Sequence, residues 1–448
     1  MEEDSSIKPF ELLLVGSSSS DLYSTVVVDP RTGVSTWSHK GSELLGSAMN
    51  KVIPLGKDAE HLVISALHRP FMHIVGVNQS ERFHMRSTVS GPVKDFTSNS
   101  NGSLLFAAIG KRIFIWLVHS GEMVGVKEAH LQDISRISLS DDDAFVVTAS
   151  EEGDVKVHLV ADVMNDESGT WKGALREWRP HSLAVRGLSL SPGHSLRVAS
   201  CSLDHSAAIH SVALDACLIK VTTDRPLTSC CFCQSESSLL LASDKGVIAM
   251  VSLYDAGSKN RTDVQLTTTN KDSQDVLLIG HDHEITSLDS NGDGTLIASG
   301  DSSGKYIIWE ARSRQILKEN KMNASISSLS FVPFWHSLAS STTGRKTLRP
   351  NFQLQSTINH SRPIPILHRT KLDTQNIWAG VIDSLLREEN CAAREPCLVD
   401  PSAPSVVDTS AETPQSNSFQ LLKQENERLK KINAKLYEFA VDQTFQTE

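Results

Sequence analysis

Gly280-His281, Ile285-Thr286-Ser287-Leu288, Asn291-Gly292-Asp293-Gly294, Leu296-Ile297-Ala298-Ser299-Gly300 and Tyr306-Ile307-Ile308-Trp309 follow one another in the span 280–309. Each apolar run is short, rich in β-branched residues and bounded by Gly, Asp or Ser, as strands joined by tight hairpins require. The Asp293-Gly294 pair supplies the backbone twist of such a hairpin. The same strand ending recurs upstream at Val28, Val75, Trp116, His158, His210 and Val251. Including Trp309, the intervals are 47, 41, 42, 52, 41 and 58 residues.

Two other units repeat the grammar. Ile134–Leu139 leads through Asp141-Asp142-Asp143 to Ala144–Thr148 and Val155–Val157; Val185–Leu190 leads through Ser191-Pro192-Gly193 to Leu196–Ser200 and Ala207–Ile209. A period of about 40 residues with two lengthened spacers predicts WD-type β-propeller blades, one four-stranded sheet per repeat. A lone sheet cannot bury its apolar face, so the blades must stack into a ring. The first unit begins with its second strand, Glu11–Val15, and continues through Thr25–Val28 and Val34–Trp37. Its missing innermost strand reappears as Ile326–Val332, after the seventh unit. Such a split ties the two ends of the ring together and leaves no raw edge. The expected class is all-β: a seven-bladed WD-repeat β-propeller over residues 1–340, followed by a C-terminal coiled-coil helix.

A well-formed WD blade carries a buried relay of an entering-loop His, a Ser or Thr, a turn Asp and a strand Trp. Counted back from the Trp position, the Asp persists at Asp204 but is Glu152 and Ser303 elsewhere, and Trp persists only at Trp116 and Trp309. Trp116, Asp204, His281 and Trp309 are therefore assigned structural roles. The lost members read as relaxed packing chemistry, since each sits where it would only staple a blade.

Seven Cys without disulfide-like spacing suit a reducing compartment. The start Met1-Glu2-Glu3-Asp4 lacks a secretory signature. No apolar run approaches the roughly 20 residues that span a bilayer. A soluble intracellular protein is expected. Net charge is −10, which argues against a chain that coats nucleic acid. Its distribution is uneven: residues 320–372 hold no Asp or Glu, but do hold Lys321, Arg345, Lys346, Arg349, Arg362, Arg369 and Lys371. A basic stretch on an acidic body suits contact with RNA or an acidic partner, for which Arg345, Lys346, Arg349, Arg362, Arg369 and Lys371 are the candidates. The competing reading is a solvated connector.

Residues 341–416 read as an extended basic segment, laid along a neighbour, with a candidate amphipathic helix at 373–389 and a flexible tether rich in Pro, Ser, Thr and Ala from 390. Residues 417–445 then change character. Leu422, Leu429 and Leu436 are spaced by seven, and Ile432 and Phe439 follow the last two by three. This heptad stripe of about three repeats is near the lower limit for a coiled coil and predicts a homodimer seam. The alternative is that the stripe docks back on the ring.

Other chemistry finds no residues to stand on. Asp289–Ile297 imitates a calcium loop, but Gly300 stands where the bidentate Glu belongs. Gly300–Lys305 is one residue short of a phosphate loop and ends in Tyr306. Cys230-Cys231-Phe232-Cys233 lacks a second half-site for zinc, so small buried hydrophobes are expected there. No nucleophile has an adjacent base and orienting acid, so no catalytic, cofactor or metal residues are assigned.

The layout resembles the WD repeat-containing protein 18 family. The resemblance is carried by the divergent seven-blade ring, the long spacers at 162–179 and 255–279, the Leu196–Asp204 strand and the terminal Leu429–Phe439 segment. It implies a non-enzymatic nuclear scaffold, in nucleolus and nucleoplasm, acting in large-ribosomal-subunit maturation and rRNA internal-spacer processing. Implied partners are a helical-repeat protein of the PELP type, a TEX-type subunit, pre-ribosomal particles and a remodelling ATPase. The competing reading of the fold is a WD-repeat substrate-recognition or chromatin adaptor.

Overall fold

The computed structural model describes residues 11–335, apart from 20–23, 41–47, 57–59, 78–82, 165–172, 194, 254–262 and 267–276, together with residues 354 and 355. The chain divides into two units, Met1–Ile366 and Leu367–Glu448, and all described residues belong to the first.

Continuous apolar runs explain why these segments lie between neighbouring sheets. Strands such as Phe145–Ser150 and Ser238–Ser243 are buried on both faces, because a sheet lies against each side of theirs. Among the described residues the strands form seven sheets, six of four strands and one of five. The innermost strands are Ile326–Pro333 in blade 1, Met49–Leu55 in blade 2, Val93–Ser98 in blade 3 and Ile134–Leu139 in blade 4. Val185–Leu190, Leu227–Phe232 and Ile285–Ser290 serve blades 5, 6 and 7. Each touches the innermost strand of the next blade, and Ile326–Pro333 touches both Ile285–Ser290 and Met49–Leu55. The ring is thereby closed. Ile326–Pro333 pairs antiparallel with Glu11–Ser17 in register Leu14↔Ser330, so strands from the two ends of the ring build blade 1 together.

Every blade carries the same irregularity between its first two strands. The register slips just inside the innermost strand, at Met49/Lys51, Val93/Asp95, Ile134/Arg136, Val185/Gly187, Leu227/Ser229 and Ile285/Ser287, and in blade 1 at Gly16/Ser17. A bulge adds local twist, which a blade needs as its strands fan outward from the axis.

Polar side chains on the inner strands stitch neighbouring blades. Ile137 N–H donates to Asp95 Oδ2 at 3.0 Å, and Leu329 N–H donates to Ser287 Oγ at 2.9 Å. Phe232 N–H donates to Ser189 Oγ at 3.0 Å, and Phe331 N–H donates to Asp289 Oδ2 at 2.7 Å. Lys51 Nζ meets Asp95 Oδ1 at 2.6 Å from the other side, so Asp95 links three blades. Asp289 is the costly member. Burial pushes its carboxyl up to about 6, against the lowering effect of the Phe331 hydrogen bond.

The long spacer of blade 6 has a use of its own. Asp263–Leu266 adds a fifth strand to blade 5, parallel to Ala216–Thr223, and covers that blade's outer edge. The hairpin between second and third strands explains one glycine. Gly304 has φ +92°, and a Cβ there would lie 2.5 Å from the Met322 and Ala324 carbonyl oxygens of the loop entering blade 1. His205 takes the equivalent turn in blade 5 with φ +66°. No helix among the described residues is long and apolar enough to cross a membrane.

Candidate interaction surface

Buried polar relays brace the blades from within. Blade 7 holds the full set. Trp309 Nε1–H donates to Ser299 Oγ at 2.8 Å, Ser299 lies 2.7 Å from His281 Nε2, and His281 Nδ1 lies 3.0 Å from Asp301 Oδ2. One proton arrangement satisfies all three: the Ser hydroxyl donates to Nε2 and Nδ1–H donates to the carboxylate. Burial lowers the His281 pKa, against the raising effect of Asp301, so the ring stays neutral as the arrangement requires. The other Asp301 oxygen accepts from Ser303 N–H, Ser303 Oγ–H and Lys305 N–H.

This corrects the reading of Ser303 as a lost turn Asp. The carboxylate has moved two residues upstream to Asp301 and still reaches the imidazole, while Ser303 becomes one of its donors. The blade with the worn motif therefore has an intact relay.

Elsewhere the members wear differently. In blade 5, His181 Nε2 is 2.9 Å from Ser200 Oγ and Nδ1 is 2.8 Å from Ser206 Oγ. Asp204 sits beneath, accepting from Ser206 Oγ–H at 2.6 Å and from Ser182 N–H at 2.9 Å. His210 replaces the Trp and stacks on Trp178, with ring centroids 4.8 Å apart. In blade 4, His130 Nε2 is 2.8 Å from Thr148 Oγ1, which lies 3.4 Å from His158 Nε2. Burial lowers His130 to about 3 and both His158 and His210 to about 4. Blade 6 drops the relay for Leu241 and Val251, both buried in an apolar cluster.

Trp116 departs most from expectation. Its register partner two residues on, where blade 7 has Ser299, is Ala107, paired with Phe96. Val89 takes the place of the relay His, four residues before Val93. The Trp116 indole N–H instead donates to the backbone oxygen of Gln355 at 3.0 Å. Nothing in the local motif of blade 3 signals this, because the partner lies 239 residues away.

The rejected motifs resolve into ordinary hairpin chemistry. Asn291 Oδ1 accepts from Leu296 N–H at 2.8 Å, closing the turn that imitated a calcium loop. Asn99 does the same for Leu104 at 2.9 Å. Cys230, Cys231 and Cys233 are buried free thiols, and burial raises Cys231 well above its usual range. Among the described residues no His, Cys, Asp or Glu group is arranged to hold a metal ion.

The candidate contact residues Arg345, Lys346, Arg349, Arg362, Arg369 and Lys371 lie outside the described residues. So do the seam residues Leu422, Leu429, Ile432, Leu436 and Phe439, and the candidate helix at 373–389.

A closed seven-blade ring with these relays is a WD-repeat β-propeller, a class built to hold partners. The WD domain, G-beta repeat family matches residues 121–158 and 273–310, each holding the outer strand of one blade and the first three strands of the next, blade 4 or blade 7. Over 380 residues the chain is 37% identical to pre-rRNA-processing protein pro-1 of Caenorhabditis elegans, covering 85% of this chain and 72% of that protein. Its counterpart in Caenorhabditis briggsae is 39% identical over 348 residues, covering 78% of this chain but 65% of that protein, just under two thirds of its length. WD repeat-containing protein 18 of Homo sapiens is 20% identical over 370 residues, covering 82% and 80%. The chain belongs to the family of pre-rRNA-processing protein pro-1 and WD repeat-containing protein 18.

Proposed function

We propose that the protein is a non-enzymatic scaffold of a nuclear complex that matures the large ribosomal subunit and acts in internal-spacer processing of rRNA. The observation that carries this reading is the family: relatives matched along most of this chain bear the name pre-rRNA-processing protein. The ring supports it mechanically. Relays inside blades and hydrogen bonds between inner strands make a stiff platform whose loops and edges can hold several partners at once. On this reading the partners are a helical-repeat protein of the PELP type, a TEX-type subunit, pre-ribosomal particles and a remodelling ATPase, met in the nucleolus and nucleoplasm. Leu422, Leu429, Ile432, Leu436 and Phe439 pair two copies, which raises avidity without new contacts. Arg345, Lys346, Arg349, Arg362, Arg369 and Lys371 meet RNA phosphates or an acidic partner.

Depletion of the protein tests the proposal through the lengths of rRNA precursors on a blot. Precursors that retain the internal spacer before the large-subunit rRNA should accumulate, while small-subunit rRNA forms normally. An unchanged precursor pattern under complete depletion would contradict it.

A further inference from the structure

Beyond the closing strand, two described residues pack into the ring. Trp335 is fully buried in the cluster shared by blades 1 and 2. Leu354 is buried one interface further on, in the cluster of blades 2 and 3 that includes Met72, Ile74, Trp116 and Met123. The backbone beside it is held from both sides. Leu354 N–H donates to Ser87 Oγ of blade 2 at 3.0 Å, and Gln355 N–H donates to the Gly121 oxygen of blade 3 at 2.9 Å. The Gln355 oxygen accepts the Trp116 indole N–H at 3.0 Å.

This arrangement differs from adventitious packing in what it asks of its occupant. The groove presents a hydroxyl acceptor, a carbonyl acceptor and an indole donor to three backbone groups of two adjacent residues, and one apolar pocket to one side chain. Trp116 is 1% exposed, and the relay positions of its own blade are filled by Val89 and Ala107. An empty groove would leave that N–H without the carbonyl it now meets and open the apolar pocket of Met72, Ile74 and Trp116 to water. Main-chain bonds supply general affinity and a single pocket supplies selection, as in other sites that read extended peptides.

We propose that the groove between blades 2 and 3 is a binding site for an extended peptide carrying a leucine, occupied in cis by Leu354-Gln355. The cis segment benefits from an effective concentration in the millimolar range, which keeps a free peptide of ordinary affinity out. A partner displaces it only by presenting the same leucine-bearing backbone at comparable local concentration.

The test uses the full chain and a fluorescent synthetic peptide spanning residues 349–361, read by polarisation. Leu354→Asp in the chain places a carboxylate in the apolar pocket and evicts the cis segment. The peptide should then bind at least tenfold more tightly than to the unmodified chain. Ser87→Ala in the same chain should weaken that binding about tenfold, and a peptide carrying Leu354→Asp should not bind. Equal binding to both chains, or no binding to a Leu354→Asp chain that melts as the parent does, overturns the proposal. Hydrogen exchange on the unmodified chain gives a second reading should the variant not fold. The Leu354 and Gln355 amides should be protected, and exchange as fast as in the free peptide overturns it too.

Discussion

Ser299 is the residue on which blade 7 turns, because one hydroxyl serves both the Trp309 indole and the His281 ring. Ser299→Ala leaves both of those buried nitrogens without a partner. Each unsatisfied group costs about 1–3 kcal/mol, so the variant should lose about 2–6 kcal/mol in a urea melt. Loss of under 0.5 kcal/mol would mean that the relay does not stiffen the blade. At this scale the sequence was legible where one spacing recurs. His281 and Trp309 stand where counting places them, and the structure joins them through Ser299. Counting failed at Ser303, because a carboxylate two residues upstream reaches the same imidazole nitrogen. It failed again at Trp116, since no local spacing reveals a partner that arrives from residue 355.

Blade 4 shows what wear does to an element. With His158 in place of Trp, two of its relay members are imidazoles that burial holds neutral, at about 3 for His130 and about 4 for His158. In the unfolded chain both take a proton near 6.5. The unfolded state thus binds more protons below that point, and stability falls as pH drops from about 6.5 towards 4. His73 and His210, both lowered by burial to about 4, act in the same direction. Asp289 opposes them. Its folded pKa of about 6 lies above the unfolded value, so it favours folding as pH falls between about 6 and 4 and offsets roughly one imidazole. The urea midpoint should therefore fall between pH 7 and pH 5, and fall less in His158→Trp. An identical slope in the two proteins would remove His158 from the account. Elements were the most legible level in the sequence: each Trp-position residue lies on the third strand of its sheet, including the worn Val75 and Val251. The extra strand Asp263–Leu266 was not legible, for its pairing is decided by the exposed edge of blade 5 and not by any pattern of its own.

For the whole molecule, the closing strand Ile326–Pro333 makes the ring one body, and its pairing with Glu11–Ser17 was readable because the first unit lacked one strand and the last had one to spare. What hangs on that body is a matter for experiment. Replacing Leu429, Ile432 and Leu436 together by Asp should halve the mass seen by light scattering and leave the melting of the ring unchanged. A mass that stays double would place the dimer seam elsewhere. The claim that most depends on all three scales is that the ring serves ribosome assembly. Affinity purification of the tagged full-length protein from nuclear extract, with and without ribonuclease, tests it most directly. Large-subunit rRNA precursors should co-purify in the untreated sample, and a helical-repeat partner should persist after ribonuclease. Recovery of neither, with a ubiquitin ligase or histone-modifying core in their place, would contradict the account.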